Sequence, residues 1–228
     1  MRCTFLQKKK EYGKFVMAVD VKICGLKTFE AVDASSTGGA MMCGFCFYPN
    51  SPRFLEVEFA KKLMSRITKS VKKVGLVVDA EDSWLQQIAT TGIDWWQFHG
   101  KEAPDRVAKV KERFGFPIIK AFGISNKLDL KLAREYEEVA DLLLFDAKPP
   151  KSATRPGGNA LTFNWEVIQG EQWKCPWAIA GGLNISNLNL AINVSGARMV
   201  DVSSGVEDEN GEKSSKKIRE FLTRAKSL

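Results

Sequence analysis

From Ala18 onward, short apolar runs alternate with amphipathic stretches of helical period, and eight such pairs fit before the chain ends. That alternation constrains the fold more than any other feature. Strands joined through helical crossovers run parallel, and a parallel sheet needs helices to cover its faces. The runs predict strands over Asp20–Cys24, Met41–Phe47, Val74–Val78, Trp95–Phe98, Ile118–Ala121, Leu142–Asp146, Ala178–Ala180 and Met199–Val202. Helices are expected over Thr28–Ser36, Val57–Lys69, Asp82–Thr90, Pro104–Arg113, Lys127–Val139, Asn164–Gln169, Ser186–Asn193 and Lys213–Lys226. Thr28 suits an N-cap and Pro104 a first helical turn.

The number of pairs argues for closure. An open doubly wound sheet more often stops at about five or six strands and carries a glycine-rich loop after the first. Here the first strand ends in Cys24-Gly25-Leu26-Lys27, which is no dinucleotide fingerprint. A chain of 228 residues is also near the size of a closed barrel, about 250 residues in one domain. The expected class is therefore α/β, a single-domain (β/α)8 TIM barrel over residues 17–228. The longest irregular stretch, residues 147–163, follows the sixth strand, and long loops in compact domains are often functional.

The net charge of +7 raises the question of nucleic acid. Arg2, Lys8, Lys9, Lys10 and Lys14 against Glu11 alone place four of those charges in residues 1–16. The remainder is dispersed, whereas a nucleic-acid surface gathers its cations into one stripe. Residues 1–16 are expected to be a dispensable basic extension, with Met17 opening a cleaner segment. No apolar run approaches the roughly 18 residues of a membrane span, and the basic start lacks the apolar core of a signal peptide. Five cysteines, Cys3, Cys24, Cys43, Cys46 and Cys175, have no disulfide-framework spacing, which points to a reducing cytoplasm. Cys43 and Cys46 form a CxxC inside a strand, where residues three apart face opposite ways. They are expected to be buried packing cysteines.

Barrel enzymes carry their chemistry where strands end. Those ends offer Cys24, Arg53, His99, Asp146, the pair Gly181-Gly182, and Ser203-Ser204-Gly205. The last two are small-residue turns before helical segments. Backbone N–H groups there can cradle a phosphate, aided by a helix dipole.

Taken in order, these segments resemble one family. Lys22-Ile23-Cys24-Gly25, the run from Gly44 to Arg53, Gln97-Phe98-His99-Gly100, Leu144-Phe145-Asp146-Ala147, Gly157-Gly158, Phe163-Asn164-Trp165, Ala180-Gly181-Gly182-Leu183 and the run from Val200 to Glu207 resemble phosphoribosylanthranilate isomerases. The resemblance extends from about Met17 to the C-terminus. It implies an Amadori rearrangement of N-(5-phosphoribosyl)anthranilate in tryptophan biosynthesis, with no cofactor, no metal, and a monomer or homodimer. Asp146 would be the general acid and Cys24 the general base. Arg53 would face the anthranilate carboxylate, and Gly181, Gly182, Ser203, Ser204 and Gly205 would hold the phosphate. The chain departs from the family pattern at Asn164, Ala160 and Phe98, where Asp, Gly and Leu are common. None of these is a reacting group.

Simple electrostatics is compatible with those roles. A free Asp titrates near about 3.9, and partial desolvation behind Leu142-Leu143-Leu144-Phe145 would raise it toward a useful acid. A free thiol titrates near about 8.5. Lys22, two residues earlier on the same strand face, is expected to favour thiolate at Cys24. Asp201 shares a face with Ser203 and could pair with Lys22 inside the barrel. A structural role for His99 is as compatible with the sequence as a catalytic one. Among rivals, a metal-dependent epimerase would want several histidine ligands, and the chain has one. A dual-substrate sugar isomerase would use Asp at the Cys24 position.

Overall fold

The computed structural model describes residues 18–149, 157 and 162–228. The basic extension, Cys3 and most of the loop after the sixth strand, including Gly158 and Ala160, lie outside the described residues. Eight parallel strands close into a barrel in chain order. They are β1 (Asp20–Cys24), β2 (Met42–Cys46), β3 (Lys72–Val77), β4 (Trp95–Phe98), β5 (Ile118–Ile124), β6 (Leu142–Ala147), β7 (Trp177–Ile179) and β8 (Met199–Val202). Closure is made by β1 against β8, with Lys22 beside Asp201 in register.

The outer ring holds α1 (Phe29–Gly38), α2 (Val57–Met64), α3 (Asp82–Ala89), α4 (Pro104–Phe114), α5 (Lys127–Arg134), α6 (Leu188–Ser195) and α7 (Ser215–Lys226). Thr28 caps α1 as expected, its hydroxyl accepting from the Ala31 N–H at 3.2 Å. Pro104 occupies the first turn of α4. None of the described helices is long and apolar enough to cross a membrane.

Several helix expectations need correction. The segment Asn164–Gln169 forms only a 3-10 turn over Trp165–Val167. It is bounded by Asn164, whose side chain accepts from the Glu166 N–H, and by Gly170 with φ +76°. So short a stretch cannot offset the cost of nucleating an α-helix. At the C-terminus, α7 starts at Ser215 because Ser214 caps it. That leaves Lys213 in the preceding turn, which matters below. α2 and α5 end at Met64 and Arg134, short of the expected Lys69 and Val139, where the chain passes into turns, and α6 runs over Leu188–Ser195, shifted toward the C-terminus from the expected Ser186–Asn193.

Strand alternation sorts side chains into two cores. Val21, Ile23, Phe45, Phe122, Phe145 and Val200 face outward into the layer beneath the helices. Met42, Val74, Ile119, Ala121, Leu142, Leu144, Ala178, Ala180 and Met199 fill the barrel interior. Lys22 and Asp201 sit on that inner face, with Lys22 1 % exposed. The ammonium donates to both Asp201 oxygens at 3.0 Å, as the shared strand faces suggested. Burial alone would lower the Lys22 pKa, but Asp201 and Cys24 outweigh it and hold the ammonium above its ordinary range. A second buried pair, Lys120 with Glu102 at 3.0 Å, lies outside the barrel wall. Glu102 accepts from the N–H groups of Asp79 and Gly100 and so fixes the loops after β3 and β4.

Candidate active site

Where the strands end, a cavity of about 810 Å³, counting its solvent-open part, is lined by Cys24, Cys46, Arg53, His99, Asp146, Gly157, Gly181, Gly182, Ser203 and Ser204 among others. Six different βα loops thus bring the sequence-selected side chains to one mouth. Gly205 is the exception. It lies behind the cavity, and a Cβ there would stand 1.8 Å from the Leu183 carbonyl oxygen. Its lack of a side chain lets the loops after β7 and β8 pack backbone to backbone.

Cys24 ends β1 on the inner face, opposite Gly44 of β2. A Cβ on Gly44 would come within 2.9 Å of the Cys24 Sγ and 3.1 Å of the Lys22 Nζ, so this glycine makes room for both groups. The expectation of a thiolate favoured by Lys22 is only half right. Burial dominates and raises the Cys24 pKa, with Lys22 opposing it and Asp201 reinforcing it. Burial thus favours the thiol, and Lys22 is the group that assists its ionisation.

The CxxC pair separates as the strand period requires. Cys43 packs in the outer core, where burial pushes its thiol up to about 12. Cys46 faces inward and lines the cavity. It is buried, as expected. The described cysteines Cys24, Cys43, Cys46 and Cys175 are all free.

Asp146 ends β6 across the mouth from Cys24, with its Oδ1 accepting from the Ala147 N–H at 2.8 Å. Its Oδ2 lies 3.5 Å from the His99 Nε2. Burial, with Lys120 and Lys22 adding to it, pushes His99 down to about 3. The contact is therefore between a neutral imidazole and a carboxyl group, longer than a well-formed hydrogen bond. The Gln97 Nε2 approaches the His99 Nδ1 at 3.4 Å, which favours the proton on Nε2, facing Asp146.

A buried neutral histidine leaves a mark on stability. As pH falls below the unfolded value near 6.5, the unfolded chain takes up a proton that the folded one refuses. The folding equilibrium then loses about tenfold per pH unit. Denaturant titrations at pH 7.5 and pH 5.5 are expected to show a larger loss for the wild type than for His99→Asn. Equal losses would mean that His99 protonates freely in the fold.

Arg53 packs over Gly25, whose φ of +78° leaves no place for a Cβ; one would lie 2.4 Å from the Arg53 Cδ. Its guanidinium donates to Glu207 through Nε at 2.7 Å and Nη2 at 3.0 Å. In the same cavity, Gly181 and Gly182 both take positive φ, and Ser204 opens a 3-10 turn. Lys213, which donates to Ser203, carried no site role in the sequence, where it reads as the first residue of a helix. Glu207 lay within the matching segments but carried no assigned role.

A family model described as N-(5'phosphoribosyl)anthranilate (PRA) isomerase matches residues 21–224. The N-(5'-phosphoribosyl)anthranilate isomerase of Rhodopseudomonas palustris is 43% identical over 212 residues, covering 92% of this chain and 100% of that one. The enzyme of the same name from Cereibacter sphaeroides is 46% identical over 209 residues, covering 91% and 99%. Among solved structures, the phosphoribosyl anthranilate isomerase of Thermotoga maritima superposes with a TM-score of 0.82 at 35% identity, covering 92% of this chain and all of that one. A phosphoribosyl anthranilate isomerase in complex with reduced 1-(o-carboxyphenylamino)-1-deoxyribulose 5-phosphate gives a TM-score of 0.79 at 33% identity, with the same coverage.

Proposed function

We propose, from the premise that the chain belongs to the N-(5'-phosphoribosyl)anthranilate isomerase family of tryptophan biosynthesis, that it converts N-(5-phosphoribosyl)anthranilate to 1-(2-carboxyphenylamino)-1-deoxyribulose 5-phosphate, with Asp146 as general acid and Cys24 as general base. The observation that carries this is the meeting of Cys24 and Asp146, from the ends of β1 and β6, in one cavity.

Asp146 gives its proton to the ribose ring oxygen while the C1–O bond breaks and the anilino nitrogen lone pair closes to an iminium. Cys24 first releases its thiol proton to solvent, an ionisation that Lys22 assists, and the thiolate then takes the proton from C2. The C2–H electron pair forms the C1–C2 double bond, and the iminium π pair returns to nitrogen. The resulting enolamine becomes the ketone as its hydroxyl loses a proton and C1 gains one. Ring opening also eases the second step, because a cation beside C2 favours the charged form of the nearby thiol. Arg53 receives the aromatic carboxylate, and the N–H groups of Gly181, Gly182 and Ser204, with the Ser203 turn, receive the phosphate. Free thiols throughout the described chain suit work in a reducing cytoplasm.

The test is direct. The purified full chain, given N-(5-phosphoribosyl)anthranilate in the presence of a chelator, should extinguish the anthranilate fluorescence as product forms. Persistent fluorescence, or turnover that needs added metal, would contradict the assignment.

The phosphate role gives a second expectation. Gly205→Ala places a methyl group against the Leu183 carbonyl and must part the two anion-binding loops. Overpacking of this kind costs about 1–3 kcal/mol in stability. Competitive inhibition by inorganic phosphate should weaken about tenfold, equivalent to roughly 1.4 kcal/mol of binding. An unchanged inhibition constant would place the phosphate elsewhere.

A further inference from the structure

In the turn between β8 and α7, a charge chain brings two charged groups that the proposed chemistry does not use, Glu207 and Lys213, into contact with two residues that it does, Arg53 and Ser203. Glu207 accepts two hydrogen bonds from Arg53 and one from the Lys213 Nζ at 2.5 Å. Lys213 also donates to the Ser203 carbonyl at 3.0 Å and to its hydroxyl at 3.1 Å. All three groups are sheltered, with Arg53 11%, Glu207 10% and Lys213 2% exposed.

The backbone holds this chain in place. Glu207 and Lys213 form an antiparallel bridge, the Ser214 N–H donates to the Val206 carbonyl, and Lys217 donates to the Glu207 carbonyl at 2.7 Å. The turn is also tied to the first two βα loops. Lys27 pairs with Glu212 at 2.8 Å and reaches the Pro52 carbonyl.

Resting on the proposed function, we infer that Glu207 is a positioning residue for both ends of the substrate. It aims the Arg53 guanidinium at the aromatic carboxylate and, through Lys213, fixes the Ser203 turn at the phosphate. One carboxylate shared by two cations leaves a positive charge unbalanced within this chain, at a mouth that must accept an anionic substrate. Burial would raise the Glu207 carboxyl, but hydrogen bonds and charge from Arg53 and Lys213 outweigh it and hold it below its ordinary value. Burial lowers Lys213 against the pull of Glu207, so removing that carboxylate should make its ammonium easier to lose.

The experiment is titration calorimetry of the full chain with two separate probes, inorganic phosphate and anthranilate. Wild type should bind both; binding of neither would remove the premise and the proposal together. Arg53→Met should weaken anthranilate alone, and Lys213→Met phosphate alone. Glu207→Gln should weaken both by about tenfold, the scale of one charge-assisted contact. Glu207→Asp, which keeps the charge but loses a carbon of reach, guards against a misfolded amide variant and should restore at least one of the two affinities. The proposal is overturned if Glu207→Gln leaves either affinity unchanged, or if a folded Glu207→Asp restores neither. Because these are binding constants, they separate this role from the turnover test above.

Discussion

Replacing Cys24 or Asp146 by alanine is expected to lower kcat/KM by about a thousandfold or more while leaving the barrel folded. Positioned acid–base groups contribute roughly a hundred- to ten-thousandfold, and each residue has sole charge of one proton transfer in the proposed sequence. Cys24 is a small group at a strand end, and the Asp146 Oδ1 accepts from its neighbouring Ala147 N–H. Asp146→Asn is the sharper variant, since an amide oxygen can still accept that bond but cannot supply the proton. Steady-state fluorescence kinetics, with circular dichroism for the fold, reads the outcome. Retention of most activity in both alanine variants would refute the assignment of acid and base.

Loss of Asp201 should be the most damaging single change to stability. Asp201→Ala leaves the Lys22 ammonium 1 % exposed with its carboxylate partner gone, and breaking a buried pair from one side costs about 3–5 kcal/mol. For a domain of this size, each kcal/mol shifts Tm by roughly 2–4 °C, so a fall of about 10 °C is expected. The double variant Lys22→Met, Asp201→Ala should recover much of the loss, because an uncharged side chain there has nothing to leave unpaired. A double-mutant cycle measures the difference. Strictly additive losses would mean that the two groups do not depend on each other. Lys22→Met should also slow turnover, since Lys22 is the group that opposes the burial penalty on the Cys24 thiolate.

The architecture was legible because a closed parallel sheet is buried on both faces, so its strands read as nearly continuous apolar runs. The same alternation correctly set Cys43 and Cys46 on opposite faces and Lys22 against Asp201. Where the sequence misled, the cause was a contact distant along the chain. Lys22 is close to Cys24 along β1, but the thiol pKa is governed by burial inside a barrel that only the whole fold creates. Cys46 looks like core until closure turns its strand face toward the mouth. Lys213 gives no local signal, since its importance lies in reaching Ser203 and Glu207 across a turn. The absence of the helix expected over Asn164–Gln169, between β6 and β7, was a matter of length, too few residues before Gly170 to sustain one.

The most direct test is a crystal structure of this chain with a non-reactive reduced analogue of the product. The expected complex places sugar C2 within about 3.5 Å of the Cys24 Sγ, the distance of a near-attack geometry. Asp146 should then lie on the far side beside the atom derived from the ring oxygen, with phosphate at Gly181, Gly182 and Ser204. A ligand bound with its sugar reversed, or with C2 out of reach of the thiol, would contradict it.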